Sequence, residues 1–268
     1  MSDTVAAAIR VALLSAEPTA KIMATRKVAR EWRLGRLAPA RDTAFDVAMP
    51  ERPARPAHPL LLRPRDMPRR GKGGSERGRI ALLHALAHIE FTAIDLALDM
   101  AGRFGGAEGP EFVSDWLSVA ADEALHFALL ERRLRTFDSH YGALPAHDGL
   151  WESAQATRHD VLARLAIVPM VLEARGLDVT PMTIERFRIG GDEASARVLE
   201  RIFIDEIRHV RFGTTHFAKV CESRAISPVD TWRSLVATHF TGSVKPPFND
   251  SARLSAGLPR EFYAGIAL

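Results

Sequence analysis

Apolar residues recur every three or four positions in VAAAIRVALL and again in KIMATRKVAREW, with Pro18 between the two runs, so the spacing predicts two helices within residues 1–35. The same period is sustained over four longer stretches, about 76–104, 110–140, 150–176 and 192–222, which are separated by the breakers GRFGGAEGP, YGALPAHDG and GLDVTP around Pro181. A shorter helical pattern covers about 228–240. Strand-type alternation is absent. From Ala38 to Gly78 the chain changes character: Pro39, Pro50, Pro53, Pro56, Pro59, Pro64 and Pro68, followed by GKGG, disfavour helix and predict an extended arm. A second extended segment is expected from Pro246–Pro247 onward. The pattern therefore predicts an all-α fold. Residues 1–75 would hold two helices and the arm, 76–225 a four-helix bundle, and 226–268 a helix and tail packing on that bundle.

Composition narrows the class. Of 268 residues, 47% are hydrophobic and 26% charged, an ordinary globular mixture. The lone Cys221 excludes an internal disulfide and any cysteine-rich metal site, which suits a reducing compartment, with the cytoplasm as the expectation. The N-terminal run carries Asp3 ahead of it and Arg10 within it, unlike a secretory signal, and no stretch approaches the roughly 20 apolar residues that span a bilayer. A soluble protein with no membrane partner is expected.

Charge is unevenly placed. Residues 26–79 hold 15 Lys or Arg against 6 Asp or Glu, although the whole chain is only +3. Such a segment suits phosphates of a nucleic acid or acidic headgroups, or it is an Arg-rich strap lying over an acidic helical body, the plainer reading. Arg52, Arg55, Arg63, Arg65, Arg69 and Arg70 are its interleaved cations.

The chemistry lies in a doubled motif. DEALHF places Glu123 and His126 three residues apart, and DEIRHV does the same with Glu206 and His209; on a helix each pair lies about 60° apart on one face. One Glu-x-x-His says little, since a chain this long holds about one by chance. Here, however, Glu90 precedes Glu123 by the same interval that separates Glu173 from Glu206, and the 83-residue offset that takes the first pair onto the second also aligns Asp95 with Asp178. The repeat is an internal duplication of a two-helix hairpin. Carboxylate oxygen with imidazole nitrogen suits Fe(II), Mn(II) or Zn(II), and four carboxylates with two histidines balance about two divalent ions.

HIEFTAIDLALD, DEALHF, LEARGLD and DEIRHV, with PERPARPAHPLL and PRR ahead and KPPFN behind, resemble a bacterial ferritin-like family of unassigned function. That resemblance covers nearly all of the chain from about residue 20. It implies a ferritin-like bundle with a non-haem dinuclear site, more distantly similar to tRNA hydroxylase, rubrerythrin and other diiron carboxylate proteins. It also implies that Glu90 and Glu173 come from the helices without histidine, that Glu123 and Glu206 bridge two metals, and that His126 and His209 each cap one. Asp122 and Asp205 would orient those histidines from behind.

Other residues carry less. His84 and His88 share a face but lack the glutamate of a zinc-protease motif, and are expected to be structural. His216 and Trp116 are expected in the core, and Pro169 should bend the helix that bears Glu173. The small residues Ala93, Ala97, Ala120, Gly176 and Gly213 on or near the metal-facing stripe would leave room for a pocket or allow close packing. The favoured function is an oxygen-activating oxidoreductase with two divalent metals, iron first and manganese or a mixed pair next. Its substrate would be a small molecule, or tRNA through the basic arm, with an external electron donor; an oligomer is compatible. The alternatives are a ferroxidase or peroxide scavenger, and a binding module that uses metal only for stability.

Overall fold

The computed structural model describes residues 4–39, 47–68 and 75–265. The chain divides into two compact units, residues 1–151 and 152–268. Among the described residues both are helical, and the pairing of extended chain is limited to two isolated bridges, Thr4 with Ala38 and Leu61 with Ala146.

In the first unit, α1 (Val5–Leu13) starts where Thr4 caps the Ala7 amide, and it buries Val5, Ala6, Ile9, Ala12 and Leu13. Pro18 opens α2 (Pro18–Arg33) at a position where a missing N–H costs nothing. The long α3 (Glu76–Glu108) begins at the Ser75 cap and ends at Gly109, whose φ of +93° turns the chain directly into α4 (Pro110–Arg135). These two form a helical hairpin, with α2 on α4 and α1 on α2 and α3. By length and composition α3 would suffice to cross a membrane, but 67% of that apolar window is buried inside the protein, as a core helix should be.

The expected arm is extended over its described part, apart from one 3-10 turn at Pro64–Asp66. It is stitched down along the first unit. Ala54 donates to the Leu13 carbonyl, Leu62 to that of Ala146, and Ala146 back to Leu60. Deeper, the fully buried Asp95 of α3 meets Lys21 Nζ of α2 at 2.5 Å and Arg55 of the arm at 2.6 Å, while Lys21 also donates to the Leu13 carbonyl.

The second unit departs from the expected third helix. After α5 (Gly149–Ala156), which runs across the division, the chain breaks at residues 157–160 and restarts at the Asp160 cap as α6 (Val161–Ile167). It passes through a π turn, Val168–Glu173, and continues as α7 (Ala174–Ile189). The break expected around Pro181 is overturned, because Pro181 sits inside α7. A proline there leaves the Leu177 carbonyl without its helical N–H. Asn249 Nδ2, from the C-terminal tail, donates to that carbonyl at 3.2 Å and replaces the lost bond. Helix α8 (Glu193–Ser223) follows the Asp192 cap and packs on α6, α7 and the π turn. The shorter α9 (Pro228–His239) matches expectation, whereas the tail is more ordered than expected and forms α10 (Asp250–Ser255) and α11 (Arg260–Tyr263).

The duplicated aspartates take corresponding parts. Asp95 ties the N-terminal arm into the first unit, and Asp178 of α7 ties the tail into the second: Arg253 grips it with Nε at 2.8 Å and Nη2 at 2.7 Å, and the Asn249 amide adds a bond at 2.9 Å.

Candidate metal centre

Helix α3 carries Glu90 and α4 carries Glu123 and His126, and the packing of the two helices brings all three together. Their burial is nearly complete, with Glu90 5% exposed and the other two 0%. His126 Nδ1 lies 3.2 Å from Glu90 Oε2 and 3.2 Å from Glu123 Oε2. Each residue offers a ligand atom, all within 4.8 Å of one another. Phe91 and Phe127, one residue beyond Glu90 and His126, pack at 5.1 Å between ring centroids and hold the two helices in register.

The electrostatics of this trio favour a cation. Burial first, and then the neighbouring Glu123 charge, push the Glu90 carboxyl well above the usual carboxylate range, against the pull of His126. For His126 burial works downward, but its hydrogen bonds to Glu123 and Glu90 and their charges outweigh it and push the imidazole up to about 11. Two buried carboxylates around one nitrogen thus demand positive charge, and a divalent ion supplies it with O,O,N donors of suitable hardness. The residues fit a metal.

In the second unit, α8 brings Glu206 and His209 together, His209 Nδ1 lying 3.5 Å from Glu206 Oε1, with His209 fully buried and Glu206 half-buried. Glu173 closes the π turn, which packs on α8. The expected bend at Pro169 takes the form of this widened turn. Its ring fills the space beside Gly213, where a Cβ would stand 2.4 Å from Pro169 Cβ. Gly213 therefore serves close packing and leaves no room for a substrate. A Cβ at Gly176 would meet nothing within 4 Å. Ala93, Ala97 and Ala120 are buried in the first unit.

Asp205 receives Arg201 Nε at 2.7 Å along its own helix and lies 4.0 Å from Arg208 Nη2. Asp122 borders a surface cleft of the first unit together with Trp32, Arg33 and Ser114. Trp116 is core, tilted against Phe112 at 6.0 Å, and His216 is buried at 5% exposure. Of the basic residues in the arm, Arg52 pairs with Asp148, Arg55 with Asp95, and Arg63 and Arg65 with Asp66, while Arg69 and Arg70 lie outside the described residues.

Residue-pattern reading missed Lys21 and Arg253, the buried cations that anchor Asp95 and Asp178. The one available signal was the shared offset of those aspartates from Glu90 and Glu173.

A family model described as a protein of unknown function, DUF455, matches residues 14–264. The chain is also similar to an uncharacterized protein of Haemophilus influenzae, 43% identical over 208 residues that make up 75% of this chain and 72% of that one. No solved structure matches.

Proposed function

The chain belongs to the DUF455 family, whose function is unknown, and from that premise we propose that it is a ferritin-like protein whose two duplicated hairpins jointly hold two divalent metals. Glu90, Glu123 and His126 supply one half of the ligand set, and Glu173, Glu206 and His209 the other. The metals are iron, or manganese, or one of each. The activity is oxidation or hydroxylation of a small organic substrate with oxygen and an external electron donor. The observation that carries this reading is the buried Glu90–His126–Glu123 trio, repeated in kind by Glu206 and His209 at the same sequence offset.

Two redox metals bound here would supply electron transfer to oxygen. The protein residues set the conditions for it. Glu90 and Glu123 neutralise the ions, and His126, fixed between those two carboxylates, offers nitrogen in a single orientation. Burial of all three excludes bulk water from the ligand atoms. The ion pairs of Arg52 and Arg55 support a strap and with it a small-molecule substrate. Phosphate contacts to tRNA remain the competing proposal for this segment.

Metal analysis of anaerobically purified protein, followed by oxygen-consumption measurements, tests the reading. About two iron or manganese ions per chain are expected, with uptake of oxygen that requires both metal and reductant. Glu123→Ala and Glu206→Ala should each lower bound metal. Unchanged stoichiometry in both variants overturns the assignment, and metal without oxygen uptake reduces it to a stability role.

A further inference from the structure

On α3 the residues at 77, 80, 81, 84, 85, 88 and 89 form one stripe, and Glu90 lies about 200° around the helix from His88. That stripe, turned away from the metal ligands, forms one wall of a cavity of about 470 Å³ in the first unit. Ile80, Ala81 and Ala85 line it from α3, Leu144 from the loop between α4 and α5, Leu150 from the first turn of α5, and Met67 from the arm. Its size is that of a small-molecule site.

The polar part of the lining offers donors. Arg77 lies exposed at the rim beside Ser75, in the first turn of α3. His84 is 1% exposed, and its Nε2 accepts the Gly142 and Leu144 amides at 2.9 and 3.4 Å. Its proton must therefore sit on Nδ1, for which no acceptor is found among the described residues. His147 accepts the Gly149 amide at Nδ1, 3.3 Å, which leaves Nε2–H as its donor. His88 is engaged on both sides: Tyr141 Oη donates to its Nδ1 at 2.9 Å, and its Nε2–H donates to the His147 carbonyl at 3.1 Å. Burial, with His140 adding to it, pushes His84 down to about 4, so the ring stays neutral and the donor stays in place. No Asp or Glu lines the cavity among the described residues. Because His84 Nε2 is occupied by backbone amides, this histidine group is poorly made for a metal.

An imidazole N–H and a rim guanidinium that have no acceptor among the described residues, together with a helix N-terminus, all suit the same occupant, an anionic head, while the remaining walls suit hydrocarbon. We propose that this cavity binds a small carboxylate with an apolar body, such as a medium-chain fatty acid, at a site separate from the metal centre. The head meets Arg77, His84 Nδ1–H and His147 Nε2–H, and the chain lies along Ala81 and Ala85.

Decanoate is the probe, titrated calorimetrically against the full chain, with 1-decanol as the uncharged control. One decanoate per chain is expected, at least about tenfold tighter than decanol, because one charge-assisted contact is worth about that factor. Arg77→Gln, at an exposed position, should weaken decanoate severalfold and leave decanol unchanged. Ala85→Phe should abolish binding of both while unfolding at the parental temperature. Chelation of bound metal should leave decanoate affinity unaltered. Equal affinity for decanoate and decanol, undiminished binding in Ala85→Phe, or loss of binding on chelation would each overturn the proposal; the last would assign the ligand to the metal centre.

Discussion

Replacing Asp95 by Asn removes the anion shared by Lys21 and Arg55 while keeping side-chain volume. At the observed 2.5 and 2.6 Å each pair has a large gross attraction, yet burial works against all of it. Burial pushes Asp95 up and Lys21 down in spite of their mutual pull, so desolvation exceeds pairing for both partners. The intact cluster therefore contributes little net stability relative to apolar residues, whereas a broken one leaves buried charge uncompensated. Asp95→Asn should cost about 3–5 kcal/mol, which in a chain of this size lowers Tm by roughly 6–20 °C. The loss should shrink as pH rises from 7 to 9. Lys21 in the variant favours its neutral form more than the unfolded chain does, so the unfolded state binds more protons and stability climbs with pH. Adding Lys21→Met should restore part of the loss, since it removes one of the two orphaned charges. Urea unfolding followed by tryptophan fluorescence reads all three effects. A cost below about 1 kcal/mol for Asp95→Asn, or strictly additive losses in the double variant, would refute the reasoning.

Asn249→Ala should destabilise by about 1–3 kcal/mol by exposing the Leu177 carbonyl and uncapping α10, and Pro181→Ala in that background should recover part of it by restoring the helical N–H, as measured in a double-mutant cycle. His88 is held down to about 4 by burial, followed by the Arg55 charge, so below the unfolded value near 6.5 the unfolded chain takes up the proton first; stability should fall by up to about 3 kcal/mol as pH drops from 6.5 to 4, and a flat profile in urea titrations would contradict this. Asp122→Asn and Asp205→Asn should weaken metal affinity roughly 10- to 100-fold if these aspartates orient the ligand histidines, and parental affinity in a competition titration would make them surface charges. If the arm meets tRNA, binding should fall steeply with salt and collapse when Arg52, Arg55, Arg63, Arg65, Arg69 and Arg70 become Gln; weak binding indifferent to those changes leaves the strap.

Local signals carried the reading of the first unit well. Pro18 starts α2, and the arm is extended over its described part apart from the turn at Pro64–Asp66, although α3 runs through most of the expected breaker GRFGGAEGP as far as Glu108. Glu90, Glu123 and His126 were legible because helical spacing and the 83-residue offset are properties of the chain itself. What was not legible depended on distant partners. The end of the third helix was misplaced at Pro181 because the group that makes this proline tolerable, Asn249, lies 72 residues from the carbonyl it satisfies. The break at residues 157–160 was missed for the opposite reason: Asp160 carries an ordinary N-cap signal that the surrounding apolar period concealed. Asp95 and Asp178 stood out as a repeat, but charge counting could not assign Lys21, Arg55 and Arg253 to them.

The replacement of a helical bond by Asn249 also places a clock on the second unit. During synthesis the chain is extended from its N-terminus, so Leu177 and Pro181 leave the ribosome well before the tail exists. At roughly 5–20 residues per second, the 72 residues separating Leu177 from Asn249 take about 4–14 s to make. Throughout that interval α7 has a gap in its ladder beside Asp178, whose grip on Arg253 must wait as well. The nascent second unit is thus held short of completion until its last helices emerge, while the Asp95 anchor, whose partners Lys21 and Arg55 precede it, closes as soon as α3 is made.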